Sequence, residues 1–181
     1  MLPLEGEGVR LALSLADTEP VEFAELVALP EGVGGEDAVS FAPVRFAGRL
    51  VKSGTGYTVR GSVAGEGRLR CVRCLGEFAF AFEERFSVRL LPVELAPTEE
   101  ELRLSRKDLD VRFYTEAVLD LVELAAEQVE LLLPAKPLCR EDCRGLCPRC
   151  GADRNLGDCG CPREVDERWQ ALAHFHPGEG A

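Results

Sequence analysis

The sequence predicts an α+β protein with an N-terminal antiparallel β-sheet or partial barrel, one long amphipathic helix, a cysteine-rich C-terminal segment and a short closing helix. Three observations lead to this prediction. Polarity alternates over much of the first 90 residues, apolar residues recur at helical spacing over residues 115–134, and six of the eight cysteines lie in residues 135–162. The chain has 181 residues, of which 46% are hydrophobic and 29% charged, a balance typical of a folded protein.

The strands are predicted where β-branched and aromatic residues alternate with polar ones, between turn sequences that contain glycine. These segments are residues 39–51, 56–63 and 78–91. In the third segment, Phe78, Phe80 and Phe82 follow a period of two and share one face of the strand. We interpret this face as core packing and not as a base-stacking platform, because no basic residues are interleaved with the rings.

The clearest predicted helix spans residues 115–134. Thr115 can cap its start, and Pro134 ends it. Its apolar positions recur every three or four residues and form one stripe: Val118, Val122, Ala125, Val129 and Leu132. The acidic residues lie off this stripe, so we expect them to face solvent. An acidic connector over residues 92–110 precedes the helix and is expected to be exposed.

A short closing helix is predicted over residues 166–175. The two histidines, His174 and His176, fall at its end, where we expect surface positions and not metal ligands. We divide the chain into residues 1–113, the β region with the first cysteine pair, and residues 114–181, the helix and the cysteine-rich tail. The two parts are expected to pack as one unit.

The charge of the chain limits the possible classes of function. It carries 21 basic and 32 acidic side chains, a formal net charge of −11, so we expect only local contact with RNA. The N-terminus lacks the basic start and apolar run of a signal peptide, and the apolar stretches are too short to span a bilayer. We therefore expect a cytoplasmic protein without membrane contact.

The sequence also lacks the common catalytic motifs. It contains no P-loop, GxSxG elbow, HExxH helix or dinucleotide fingerprint. A catalytic zinc site keeps one coordination position open, whereas sets of four cysteines favour closed sites. We therefore predict a protein that is not an enzyme and has no small-molecule substrate.

The cysteine spacings predict metal binding. In a chain without a secretory signal, clustered cysteines indicate metal ligands before disulfides. The turn CPRCG at residues 147–151 aims two thiolates at one ion, and its glycine permits the positive φ that such a turn commonly needs. The CGC sequence at residues 159–161 can complete a tetrahedral zinc site. The first predicted site is therefore formed by Cys147, Cys150, Cys159 and Cys161.

A second, less local site is predicted from the four remaining cysteines. They are Cys71, Cys74, Cys139 and Cys143. Such a site would join the β region to the tail, and the chain would hold one or two structural zinc ions. A redox dithiol at Cys71 and Cys74 and an iron–sulfur cluster are alternatives that the spacing leaves open.

Taken in order, these motifs resemble the YceD family, in its bacterial form with C-terminal zinc-binding cysteines. They are RCVRCLGEFAFAFEERF at residues 70–86, LPAKPLC at 133–139, CRGLCPRCG at 143–151 and CGC at 159–161. The resemblance implies a non-enzymatic factor that supports accumulation of 23S ribosomal RNA and assembly of the large subunit. It also implies that the cysteines of these motifs are the family's cysteines.

The partners implied by this resemblance are large-subunit ribosomal RNA, a large-subunit ribosomal protein, or both. The cysteine-bearing segments are the least acidic parts of the chain. We therefore place the contact of an adaptor on the arginines beside the cysteines: Arg70, Arg73, Arg144 and Arg149. The same arginines could instead neutralise thiolate charge.

Two other functions are kept as hypotheses. One is an acidic escort or chaperone for a basic ribosomal protein, which would use Glu99 to Glu101 and the acidic residues of the helix. The other is a thiol redox switch at Cys71 and Cys74 that releases metal on oxidation.

Overall fold

A mixed β-sheet with one helix packed on it forms the body of the protein. The computed structural model describes residues 10–98, 105, 109–162 and 168. In chain order the strands are β1 (Arg10–Ala12), β2 (Val21–Val27), β3 (Ala38–Phe41), β4 (Val44–Ser53), β5 (Gly56–Arg70), β6 (Glu77–Pro92), β7 (Val111–Tyr114) and β8 (Val118–Asp120). The helix α1 spans Leu121–Leu132.

The main sheet has the order β2-β4-β5-β6-β7, and β3 pairs with one end of β5. Strands β4, β5 and β6 form a meander whose β5–β6 hairpin ends in the loop 71–76, which carries the first cysteine pair. The other pairings of this sheet are antiparallel, but β7 runs parallel to β6. The sheet is therefore mixed at its β7 edge and not antiparallel throughout.

The helix is shorter than the sequence predicts. It begins at Leu121, and the carboxylate of Asp120 caps it by accepting hydrogen bonds from the backbone N–H groups of Val122 and Glu123 at 2.9 and 3.1 Å. The predicted start at residue 115 with Thr115 as cap is wrong. Residues 118–120 form β8, which pairs with β1 in a separate two-stranded sheet, and this long-range pairing overrides the local helical periodicity.

The core lies between α1 and the inner face of the main sheet. Three phenylalanines from β2, β4 and β6 pack at its centre. The ring of Phe46 is stacked on that of Phe86 at 5.1 Å and tilted against that of Phe23 at 5.5 Å. From the helix, Leu121, Leu124, Ala125 and Val129 are fully buried against this layer. Of the predicted stripe, Ala125 and Val129 are buried, but Val118 is 39% exposed on β8 and Val122 and Leu132 are only half-buried. The helix is therefore held by an apolar face that is shifted toward Leu121 and Leu124.

The rings of Phe78, Phe80 and Phe82 lie along β6 beyond this centre and are half-buried. Phe82 contacts the ring of Phe41 edge-on at 6.4 Å and belongs to the periphery of the core. Apart from Arg168, the residues of the predicted closing helix at 166–175 and both histidines lie outside the described residues. In the described ranges, the one helix is too short to cross a membrane. The division at residues 113 and 114 stays a prediction.

Candidate metal centres

The structure brings the eight cysteines together in two separate groups of four. Within each group, the sulfur atoms all lie within 4.8 Å of one another. We call Cys71, Cys74, Cys139 and Cys143 the hairpin quartet, and Cys147, Cys150, Cys159 and Cys161 the tail quartet. These are the two groupings that the spacing predicts, and metal binding by them stays a prediction.

The hairpin quartet is built by the β5–β6 loop and the chain that follows α1. The N–H of Cys71 donates to the carbonyl of Gly76, and that of Leu75 donates to the carbonyl of Cys71, both at 2.9 Å, so the loop closes on itself. Leu75 has a φ of 59°, the left-handed conformation that glycine adopts more readily. The chain after α1 is bonded to this loop, because the N–H of Val72 donates to the carbonyl of Pro137 at 3.0 Å.

Arg73 joins the loop to the tail from its backbone and its side chain. Its carbonyl accepts a hydrogen bond from the N–H of Leu146 at 3.0 Å. Its guanidinium Nη1 donates to the carbonyls of Glu141 and Cys143 at 3.1 and 2.8 Å. The central arginine of the CxRC motif therefore holds the segment that supplies Cys143.

The tail quartet begins with a tight turn at CPRCG. The N–H of Gly151 donates to the carbonyl of Cys147 at 2.9 Å, and that of Cys147 donates to the carbonyl of Ala152 at 2.8 Å. Gly151 has a φ of +73°, so the glycine serves the purpose that the sequence predicts. Two cysteines of the tail quartet, Cys150 and Cys159, are exposed and one is buried, whereas the hairpin quartet has two buried cysteines and one exposed. The tail quartet is therefore the more open of the two.

Asn155 connects the two quartets, and sequence reasoning missed it. Its amide Nδ2 lies 3.5 Å from the sulfur of Cys143, to which it donates. Its Oδ1 accepts hydrogen bonds from the backbone N–H of Arg144 and the guanidinium of Arg140, both at 2.8 Å. Asn155 belongs to the loop of the tail quartet but bonds to the hairpin quartet. A polar residue inside a cysteine loop is the signal that could have identified it.

The thiols of each quartet differ in acidity. Burial raises the pKa of Cys71, but the backbone N–H groups of Cys139, Cys74 and Arg73 outweigh it and bring the pKa to about 6. The N–H groups of Cys150 and Arg149 likewise lower the pKa of Cys147 to about 6. The opposite applies to Cys139, whose pKa burial and the neighbouring thiols raise to about 12. Each quartet therefore has one thiolate that its own backbone stabilises.

The sulfur positions fit a tetrahedral ion. Four Zn–S bonds of about 2.3 Å place the sulfur atoms of a regular tetrahedron about 3.8 Å apart. In the hairpin quartet, the sulfur of Cys71 lies 3.8 Å from that of Cys143, and the sulfur of Cys74 lies 3.7 Å from that of Cys139. All eight cysteines are free thiols. Both quartets could therefore hold a metal ion with four sulfur ligands.

Two of the four arginines predicted to contact a partner have roles within the tail. Besides the bonds of Arg73, the guanidinium of Arg144 pairs with the carboxylate of Asp158 at 3.0 Å. All four arginines are exposed. Arg149 lines the cavity beside the tail quartet, and its backbone N–H is one of the groups that lower the pKa of Cys147. Their contact with a partner stays a prediction.

Gly145 offers a test of the junction between the quartets. It has a φ of +68°, and an added Cβ would lie 2.8 Å from the carbonyl oxygen of Arg73. Gly151 has a similar φ but open space around it. We expect Gly145→Ala to destabilise the protein by roughly 2–3 kcal/mol and Gly151→Ala by only about 1 kcal/mol. Thermal unfolding of both variants checks this, and equal losses would contradict the close contact with Arg73.

Comparison with known proteins places these motifs in a family. A family model described as "Large ribosomal RNA subunit accumulation protein YceD" matches residues 59–176, a range that includes both quartets. Uncharacterized proteins of Mycobacterium tuberculosis and Mycobacterium bovis are each 30% identical over 127 residues, which cover 70% of this chain and 59% of the relative. An uncharacterized protein of Mycobacterium leprae is 27% identical over 134 residues, 72% of this chain and 57% of that protein.

The chain thus matches somewhat more than half the length of the curated relatives. No solved structure matches it.

Proposed function

Because the chain belongs to the YceD family of large ribosomal RNA subunit accumulation proteins, we propose that it is a non-enzymatic factor for accumulation of 23S ribosomal RNA. It acts as an adaptor on that RNA or on a large-subunit ribosomal protein during assembly of the large subunit. The family match, which includes every cysteine of both quartets, is the observation that carries this proposal.

Each quartet is proposed to hold one structural Zn²⁺. The support is the donor set: four thiols at tetrahedral spacing leave no coordination position for a substrate. Zinc would supply folding free energy and would fix the segments that carry its ligands. In the hairpin quartet these segments are the β5–β6 loop and the chain after α1, so the ion would clamp the tail to the sheet.

We propose that the adaptor contact involves the arginines beside the cysteines. Of these, Arg70 and Arg149 are the two to substitute, because both side chains are exposed, whereas substitution of Arg73 or Arg144 would remove a side-chain bond that holds the tail. In cells that rely on an Arg70→Ala/Arg149→Ala variant, we expect less of the protein to sediment with large-subunit precursors. Unchanged sedimentation of this variant, with Arg10→Ala as a control far from the quartets, would exclude that surface.

The proposal as a whole is tested by depleting the protein from cells. We expect the ratio of 23S to 16S ribosomal RNA to fall and precursors of the large subunit to accumulate in gradients. Expression of the unaltered chain should restore the ratio. A normal ratio after complete depletion would contradict the proposed function.

The acidic escort is the second candidate. Part of its proposed surface is occupied, since the guanidinium of Arg112 pairs with the carboxylates of Glu123 and Glu127 on α1 at 2.6 and 3.1 Å. Glu99 to Glu101 lie outside the described residues. An escort should still capture a basic ribosomal protein from a lysate treated with ribonuclease, whereas an adaptor on RNA should lose its partners there.

A further inference from the structure

The outer face of the main sheet carries five arginines in a compact group. Strands β4, β5 and β6 are in register there, and each cross-strand row of this face differs from the next by two residues. The successive rows are Arg45, Ala64 and Glu83; Ala47, Ser62 and Arg85; Arg49, Arg60 and Ser87; and Val51, Thr58 and Arg89. We call these four rows the arginine face. They span about 20 Å along the strands and about 10 Å across them.

These arginines are available to a partner. All five are exposed, and none has a side-chain hydrogen bond or an ion pair within the part of the chain that the structure describes. Elsewhere in the described structure Arg10, Arg68, Arg112, Arg140 and Arg144 are each ion-paired, and only the side chains of Arg70 and Arg154 also have neither a hydrogen bond nor an ion pair among the described residues. Unpaired arginines are thus concentrated on the arginine face.

The arrangement carries an electrostatic cost. Arg49 and Arg60 are direct cross-strand partners, and like charges in that position destabilise a sheet. Glu83 is the acidic residue within the four rows, and Glu22 adjoins them on β2 opposite Arg49. Glu66 adjoins the rows at their other end on β5. Five positive charges against three negative ones therefore lie on or beside this face, in a chain whose net charge is −11. An anionic partner would relieve this repulsion.

The protein surface between the arginines is shallow, and small side chains line much of it. A depression of about 550 Å³ is bordered by Arg49, Arg60 and Arg85 and floored by Ala24, Ala47 and Ser62. A second one of about 590 Å³ is bordered by Arg45 and Ala64, together with Glu66, Phe82 and Glu83. Small floor residues leave the guanidinium groups standing above the surface, where they can reach a phosphate backbone.

The chemistry of the face indicates the kind of anion. No aromatic side chain lies in the four rows. Of the rings that border the two depressions, Phe23 is buried and Phe82 is half-buried, so the face offers no row of exposed rings for stacking unpaired bases. It also lacks the large apolar anchors that form the centre of most protein interfaces. Double-helical RNA, in contrast, is recognised through its shape and phosphates. Guanidinium groups that are exposed above alanine and serine side chains can make such phosphate contacts.

We propose that the arginine face binds the phosphate backbone of double-helical RNA. The proposal rests on the proposed function and deepens it, because it names the direct partner and the surface that meets it. The contact is independent of sequence, and it is separate from the arginines beside the cysteines. The acidic remainder of the protein confines RNA to this face, so the protein binds locally despite its negative net charge.

The test compares two variants that lose the same charge. Arg49→Gln/Arg60→Gln removes two positive charges from the arginine face, and Arg10→Gln/Lys136→Gln removes two from exposed positions elsewhere. Binding of the purified, metal-loaded full chain to a fluorescein-labelled 16-base-pair RNA duplex is measured by anisotropy over a series of salt concentrations. A single strand of the same length is the competitor.

We expect the first variant to bind the duplex about tenfold more weakly and to reduce the slope of log K against log salt by roughly 2. The control should change the affinity less than twofold. The first variant should also keep or raise the melting temperature, since an opposed pair of like charges is removed. Equal affinity of the first variant and the unaltered chain would overturn the proposal, as would equal losses in both variants or preference for the single strand.

RNA binding by the arginine face and the proposed function can be refuted separately. If the unaltered chain does not bind the duplex while its depletion lowers 23S ribosomal RNA, the arginine face is refuted and the proposed function stands. If depletion leaves 23S ribosomal RNA unchanged, the proposed function is refuted, whatever the duplex measurement gives.

Discussion

Replacing Cys71 and Cys143 by serine is expected to release one metal ion per chain and to free the tail from the β5–β6 hairpin. Both cysteines are buried. Cys71 belongs to the β5–β6 loop and Cys143 to the chain after α1, so the double substitution removes one ligand from each of the two segments that the ion would join. Structural Zn²⁺ contributes on the order of 10 kcal/mol to the folding of small zinc domains. Loss of the hairpin quartet should therefore destabilise the tail by several kcal/mol and expose residues 133–146 to protease.

The matched variant is Cys147→Ser/Cys150→Ser, which removes two thiols from the tail quartet. It should also lose one metal ion, but the bonds of Arg73 to Glu141 and Cys143 should persist and protect the chain up to residue 146. Limited proteolysis followed by mass spectrometry separates the two patterns. Identical cleavage in both variants would contradict the assignment of the clamp to the hairpin quartet.

Phe46→Ala is expected to reduce the free energy of unfolding by about 3–5 kcal/mol. The Phe46 side chain is fully buried. Its ring contacts those of Phe23 on β2 and Phe86 on β6, so truncation removes contacts to two other strands of the sheet and leaves a cavity in the core. Denaturant unfolding at constant metal concentration measures the loss.

Phe113→Ala is the control for this substitution, because that ring on β7 is 38% exposed. We expect the control to cost less than about 1.5 kcal/mol, since much of the ring is already in water. A small effect at Phe46 would mean that the sheet and the helix do not share the core described above.

The cysteine groupings could be predicted because the information is local or obtained by elimination. CPRCG and CGC are close in the chain, and once they form one quartet, four cysteines remain for the other. The sulfur distances agree with that pairing. The family match extends the sequence-based resemblance, and membership is confirmed.

The start of α1 was mispredicted for the opposite reason. Residues 115–120 have helical periodicity, but β8 pairs with β1, whose residues are more than 100 positions away. The parallel pairing of β7 with β6 is equally non-local. Local patterns describe what a segment can form, and distant partners decide what it does form.

The arginine face was also hidden in the sequence. The spacing of Arg45 from Arg49, and of Arg85 from Arg89, places each pair on one side of its strand. Only the register shows that Arg60 lies between them on β5 and that all five share one face. The net charge of −11 alone argues against a basic surface of this kind.

The most direct test of the two-centre account is the metal content of the purified, untagged protein, measured by elemental analysis together with a free-thiol count. Two zinc ions per chain with no reactive thiols are predicted, falling to one ion in both Cys71→Ser/Cys143→Ser and Cys147→Ser/Cys150→Ser. A single zinc ion with four reactive thiols in the unaltered protein would contradict the account, and so would iron in place of zinc.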